Sequence, residues 1–375
     1  MTDGFTTLQF DSVRAAFARN LSEGLDHGGA VAVWVDGQPV VDLWGGTRDL
    51  KREQPWQRDT LVNVWSVGKG VVALAVAMLV ERGQLDYRAP VARYWPEFAA
   101  NGKQDITVDQ VMSHQAGLDG LAVALPEADK YDRDAHVAAL AVMAPHWPPG
   151  SACVYHPMTY GFLAGELVRR VDGRSIGRFV ADEIADPLDL SFYFGLPLEQ
   201  DHRVAELSAD DKAYDWVRQG EASAYPYAFR HRRLSATAPN ERAWRAAEMP
   251  AGNGQGDARS LAKMYGALAC GGSVDGHVLI TPQGLARAVA QRYNGKDASS
   301  GADTIFGAGF RIDAIGYGPH VSAGNFGHTG WGGSVAFADP ARRLGFAYVT
   351  NRLLGFDDGV DPRRVRLLEA VYAAL

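Results

Sequence analysis

Two stretches near the N-terminus, Ala30-Val-Ala-Val-Trp-Val35 and Pro39-Val-Val-Asp-Leu-Trp44, are rich in β-branched and aromatic residues and flank Asp36-Gly37. That pattern predicts an antiparallel hairpin closed by a tight turn. A second pair, Ser334-Val-Ala-Phe-Ala338 and Gly345-Phe-Ala-Tyr-Val349, flanks the turn-forming Asp339-Pro340 near the other end. Helical spacing predicts a first helix over Phe10 to Leu21 and a last one over Asp361 to Leu375, where Val365, Leu368, Val371 and Tyr372 share a face. Between the β-rich ends the pattern is helical, over Ser66 to Arg82, Val108 to His114, Thr159 to Val171 and Ile176 to Ile184, with Gly83 and Gly173 where helix-ending glycines belong. The arrangement predicts an antiparallel α/β body, residues 1–75 and 201–375, interrupted by a helical domain over 76–200, with a site at their interface.

Composition narrows the partners. The chain has 375 residues, 47% hydrophobic and 22% charged, enough for a large core in one big domain or two ordinary ones. Its net charge of −7 gives no electrostatic reason to bind nucleic acid or anionic membranes, and the basic run Arg230-His-Arg-Arg233 reads as a solvated loop. Cys153 and Cys270 are too few for a disulfide framework and read as two buried thiols. The start lacks the basic and apolar stretches of a secretory signal, and the longest apolar run, Val71 to Val80, is too short to span a bilayer. A cytoplasmic protein acting on a small molecule is expected. No histidine or cysteine spacing suggests a metal, and Gly252-Asn-Gly-Gln-Gly256 reads as a loop because no strand pattern precedes it, so no cofactor is implied.

Three serines invite a nucleophilic reading. Ser175 lies in Gly173-Arg-Ser-Ile-Gly177, but the stretch before it is helical, whereas a nucleophile elbow needs a strand there; Ser175 reads as a helix cap. Ser-x-x-Lys occurs twice, as Ser66-Val-Gly-Lys69 and Ser260-Leu-Ala-Lys263. Ser66 follows the β-type run Leu61-Val-Asn-Val-Trp65 and opens the most apolar helix, so its lysine, three positions on, shares its face and sits among Val71, Val72 and Leu74. Burial and the positive end of the helix dipole both lower a lysine pKa, and only a neutral lysine accepts a serine proton. A surface lysine beside a capping serine is the alternative.

Two further segments weigh in. Trp147-Pro-Pro-Gly-Ser-Ala-Cys-Val-Tyr155-His156-Pro157 places a tyrosine just before a helix, where a phenol can relay protons. Phe326-Gly-His328-Thr329-Gly330-Trp331-Gly-Gly-Ser334 is glycine-rich at the entrance to a strand, where an oxyanion site needs open backbone. Ser-x-x-Lys, then Tyr, then His-Thr-Gly, in that order, resembles the serine β-lactamase and penicillin-binding-protein superfamily, most closely the class C-like branch that contains family VIII carboxylesterases. The resemblance covers nearly the whole chain, including Val111-Met-Ser-His-Gln-Ala-Gly-Leu118 and Phe337-Ala-Asp-Pro340. It implies the class C β-lactamase-like fold, Ser66 as acyl-accepting nucleophile, Lys69 as its base and Tyr155 as proton relay. It also implies an oxyanion hole made by the Ser66 and Trp331 N–H groups, and substrate contacts from His328, Thr329, Gly330 and Trp331. Which of Lys69 and Tyr155 takes the first proton stays open at this stage.

Two departures from the class C pattern set the expected substrate. Pro157 stands where those enzymes carry an asparagine that holds an acylamino group, and His328 replaces a lysine, exchanging a fixed cation for a mostly neutral ring. Both favour neutral esters over penicillins, and short or medium acyl chains are expected because no long hydrophobic tunnel can be read in the chain. The same scaffold also admits β-lactam, D-Ala-peptide or small-amide hydrolysis, and a catalytically silent binding module is the alternative from another class. His156 reads as packing, while Tyr131, Trp147, Trp216, Tyr225, Tyr227 and Phe229 are either placed to roof the cleft or ordinary packing.

Overall fold

The Asp36-Gly37 hairpin forms as expected, with both residues at positive φ, 51° and 75°, the turn whose twist matches its strands. It is one part of a nine-stranded, wholly antiparallel sheet in a computed structural model that describes residues 2–230, 235–313, 320–356 and 359–375. From edge to edge its strands are Thr2–Thr6, Gln38–Gly46, Gly28–Val35, Leu344–Thr350, Val335–Asp339, Phe326–Thr329, Arg311–Ile312, Asp303–Phe306 and Tyr293–Lys296. The first and last thirds of the chain meet through the pairing of Leu344–Thr350 with Gly28–Val35, in register from Leu344 opposite Val35 to Thr350 opposite Gly29.

Strand alternation decides what covers each face. Val31, Val33, Val335, Phe337, Phe346 and Tyr348 point one way and pack against the terminal helices Asp11–Ser22 and Pro362–Tyr372, through Val13, Phe17, Leu367, Leu368 and Val371. Their neighbours Ala32, Ala336 and Ala347 are small, and that face takes the helix Ala258–Ala269 at close range. A Cβ on Gly345 would lie 2.1 Å from the Gly266 nitrogen, so glycine is required where helix and sheet touch.

The helix Gly68–Glu81 is apolar all round and buried from Gly68 to Leu79, which makes it the axis of the main core. A three-residue 3₁₀ turn, Trp65–Val67, precedes it, so Ser66 lies just outside the α-helix. The expected helices appear at Val108–Met112, Thr159–Asp172 and Ile176–Val180; the last continues as a π turn over Ala181–Ala185, a feature that spacing does not reveal. Gly173 takes the expected left-handed cap at φ 90°. The second hairpin closes through a 3₁₀ turn, Pro340–Arg342, capped by the Asp339 carboxylate.

Cys153 is buried and Cys270 is half-buried, both as free thiols, which corrects the expectation that both would be buried. No helix among the described residues is long and apolar enough to cross a membrane. Residues 231–233 of the basic run lie outside the described residues.

Candidate active site

Ser66 is presented by an unusual neighbour. Trp65 holds φ at 52°, a region that a bulky side chain enters only when its surroundings force it. The force is an aromatic cluster: the Trp65 ring meets Trp244 edge-on at 5.4 Å and Trp331 at 4.8 Å. The kink turns the chain from the short strand Val62–Asn63 into the helix and leaves the Ser66 side chain facing a cavity of about 630 Å³.

Lys69 has no solvent exposure, and its Nζ lies 2.9 Å from Ser66 Oγ, 2.7 Å from the Pro157 carbonyl and 2.8 Å from the Ala251 carbonyl. Burial holds the amine well below its ordinary pKa. A neutral amine has two N–H bonds and one lone pair. The two carbonyls take the N–H bonds, which leaves the lone pair for the serine hydroxyl.

Tyr155 closes the other side of this pair, its ring 4.9 Å from Lys69 Nζ and lining the same cavity as Ser66, whose hydroxyl acts on the phenol's pKa. Burial pushes the phenol above its ordinary range, opposed by the Ser66 contact and the charge of Arg311, so the group is a neutral O–H.

The glycine-rich segment is a connection between two strands rather than only a strand entrance, because Phe326–Thr329 ends there and Val335–Asp339 begins. A Cβ on Gly330 would stand 2.4 Å from the Val64 carbonyl, so this glycine lets the connection lie against the residues that carry Ser66. The Trp331 backbone N–H has no hydrogen-bond partner among the described residues, while its indole N–H donates to the Ala213 carbonyl at 2.6 Å. His328 is 2% exposed, its Nδ1 is 2.7 Å from the Thr329 carbonyl, and burial with Lys69 and Arg311 nearby keeps the ring neutral. His328, Thr329, Gly330 and Trp331 all line the same cavity as Ser66 and Tyr155.

The remaining expectations divide. Ser175 caps the helix Ile176–Val180 and donates to Glu248 at 2.6 Å. Ser260 accepts from the Ser191 N–H, and Lys263 pairs with Asp275. His156 is a packing residue: its Nδ1 meets the Val154 carbonyl, its Nε2 accepts from the Leu118 N–H, and burial lowers its pKa to about 4. Of the six aromatic residues proposed as a roof, Trp216 and Phe229 line the cavity with Ser66, whereas Tyr131 and Tyr227 line a second one of about 540 Å³. Trp147 is buried, and Tyr225 packs edge-on against it.

Some site residues escaped sequence reasoning. The carbonyl acceptors from Pro157 and Ala251 carry no side-chain signal; Pro157 was singled out for lacking an amide, yet its backbone holds the lysine. His114, in the segment Val111–Leu118, packs its ring 4.9 Å from Tyr155 and accepts the His156 N–H. Arg311 lines the cavity with no ion pair among the described residues, so neutral His328 does not leave the site without a cation.

The beta-lactamase family model matches residues 17–370. Esterase/beta-lactamase LipL of Mycobacterium tuberculosis is 38% identical over 92% of this chain and 82% of its own. The crystal structure of a family VIII carboxylesterase superposes with a TM-score of 0.92 at 42% identity over the whole of both chains. A penicillin-binding-protein homologue from Caulobacter crescentus does so with a TM-score of 0.89, also at 42% identity and over the whole of both chains.

Proposed function

The chain belongs to the beta-lactamase family, and on that premise we propose that it is a serine carboxylesterase cleaving short- to medium-chain esters through an acyl-enzyme on Ser66. The observation that carries the reading is the fully buried Lys69, two of whose three polar contacts are backbone carbonyls and the third Ser66 Oγ at 2.9 Å. Lys69 takes the Ser66 proton as Oγ attacks the ester carbonyl. The negative oxygen of the tetrahedral intermediate rests on the Ser66 and Trp331 N–H groups. Tyr155, held as a neutral phenol, is suited to give its proton to the departing alkoxide and recover one from Lys69, which makes it the relay rather than the first acceptor. Water then attacks the acyl-enzyme and the acid leaves.

A cavity of about 630 Å³ suits a small ligand. The same proposal takes in a cytoplasmic location, a small-molecule ester as partner with neither nucleic acid nor membrane, and the division of the chain into 1–75 with 201–375 and 76–200. A β-lactamase or D-Ala-peptide hydrolase is the second reading, favoured by the likeness to the Caulobacter penicillin-binding-protein homologue. Turnover of nitrophenyl acetate, nitrophenyl butyrate and nitrocefin, measured side by side, separates the two. Esters are expected to lead, and nitrocefin leading by orders of magnitude would reverse the assignment. A fluorophosphonate probe should place its adduct on Ser66; folded protein without that adduct removes the enzymatic reading.

A further inference from the structure

Tyr155 sits in a segment that is neither helix nor strand, so its backbone needs outside anchors before its phenol can hold one position. His114 supplies two, its carbonyl accepting from the Val154 N–H and its Nδ1 from the His156 N–H. The anchor on Tyr155 itself comes from 142 residues away: Asp297 Oδ2 accepts the Tyr155 N–H at 2.7 Å. Asp297 opens the loop between the edge strand Tyr293–Lys296 and its neighbour Asp303–Phe306, and its side chain is itself fixed. Its other oxygen, Oδ1, accepts from the Ser299 and Ser300 N–H groups and from both hydroxyls, at 2.5 to 3.2 Å. The next residue ties the two segments again, Ala298 N–H donating to the Cys153 carbonyl at 2.9 Å. Asp297 is 6% exposed, so these bonds compete with little water.

We propose that Asp297 is a positioning residue for the reaction, clamping the Tyr155 backbone so that the phenol meets Ser66 and the leaving group. A carboxylate is suited to this, because it accepts on both oxygens at once. An asparagine has one acceptor, and the four donors around Oδ1 outnumber the single Tyr155 N–H. In Asp297→Asn the carbonyl therefore turns to the serines, and the amide NH₂ confronts the Tyr155 N–H. The fold loses one hydrogen bond and the phenol loses its clamp.

The proposal rests on Tyr155 acting as the proton relay, and a double-mutant cycle separates the two claims. Four proteins are compared with nitrophenyl butyrate: wild type, Asp297→Asn, Tyr155→Phe and the double variant. Asp297→Asn is expected to lower kcat about 30-fold with KM within about twofold, since a misplaced catalytic group costs rate rather than binding. In the Tyr155→Phe background the same change is expected to cost less than about twofold, because a clamp has no value once the phenol is gone. An equal loss in both backgrounds, or wild-type kcat in folded Asp297→Asn, overturns the positioning role. Wild-type kcat in Tyr155→Phe overturns the relay reading instead, whatever Asp297 does. If circular dichroism shows Asp297→Asn unfolded, Asp297→Glu, which keeps both oxygens but moves them by one methylene, is put through the same cycle with the same criteria.

Discussion

Ser66-Val-Gly-Lys69 and Ser260-Leu-Ala-Lys263 share a spacing and both stand at the start of a helix, yet their surroundings differ throughout. Lys69 is wholly enclosed, with two carbonyls and Ser66 as its polar contacts. Lys263 leaves its helix toward the surface, 19% exposed, and pairs with Asp275 at 3.0 Å. Ser66 keeps its hydroxyl for Lys69, Tyr155 and the cavity. The Ser260 hydroxyl is spent on the fold, accepting from the Ser191 N–H at 2.8 Å. Spacing puts serine and lysine on one face; what lies opposite that face decides whether the lysine is a base or a surface cation.

The largest effects test this difference at the serines. Ser66→Ala should lower kcat/KM by about 10⁴-fold or more while circular dichroism stays native. Ser260→Ala should leave kcat/KM unchanged and lower the unfolding free energy by about 1 kcal/mol, the value of its hydrogen bond. Comparable losses of activity in the two variants would erase the distinction.

The lysines come next. Lys69→Met should reduce kcat about 10³-fold, within the usual range for loss of a general base. The pH profile carries the sign. Because burial lowers the Lys69 pKa, the free-base form is already present well below pH 10.4, the ordinary lysine value. For wild type, kcat/KM should therefore rise with pH and level off well short of that value. An acid limb centred near it would mean that burial does not lower the Lys69 pKa and that the base assignment is wrong.

The residues before the serines differ as well. Ser260 follows a regular N-cap, where Asp257 accepts the Ser260 N–H at 2.7 Å. Ser66 follows Trp65 at positive φ, held there by two tryptophan rings. Trp65→Ala should cost about 3–5 kcal/mol of stability by emptying the cluster. Trp65→Gly should cost about 1 kcal/mol less than alanine, since glycine alone takes that φ without penalty. Thermal or urea unfolding that ranks alanine above glycine would show that the backbone relaxes once the ring is gone.

What was legible in the chain follows from where the information sits. Ser66, Lys69 and Tyr155 announce themselves because the proposed chemistry runs through their side chains, and the two hairpins were readable from their β-rich runs around Asp36-Gly37 and Asp339-Pro340. The lysine's acceptors were not, because a carbonyl from Pro157 or Ala251 is available at every position and only the fold selects which ones converge. Asp297 and Arg311 were hidden for another reason. They come from short strands near one end of the sheet and the loops between them, Tyr293–Lys296, Asp303–Phe306 and Arg311–Ile312, whose pattern is too brief for periodicity to register.

The smallest expected effect is the most discriminating about spacing itself. Lys263→Ala removes the second Ser-x-x-Lys motif entirely. The ion pair lost is partly exposed, with Asp275 49% open to solvent, and such pairs contribute about 0–1 kcal/mol. The Lys263 ammonium also lies 5.6 Å from the Trp34 ring, a contact of similar modest size. Stability should therefore fall by no more than about 1 kcal/mol, less so at high salt, which screens what remains of the pair. Activity should not change at all, because Ser260 and Lys263 do not line the cavity that holds Ser66. A tenfold loss of kcat/KM in well-folded Lys263→Ala would mean that the helix Ala258–Ala269 reaches the reaction through the sheet it packs against, and the two motifs could then no longer be treated as independent.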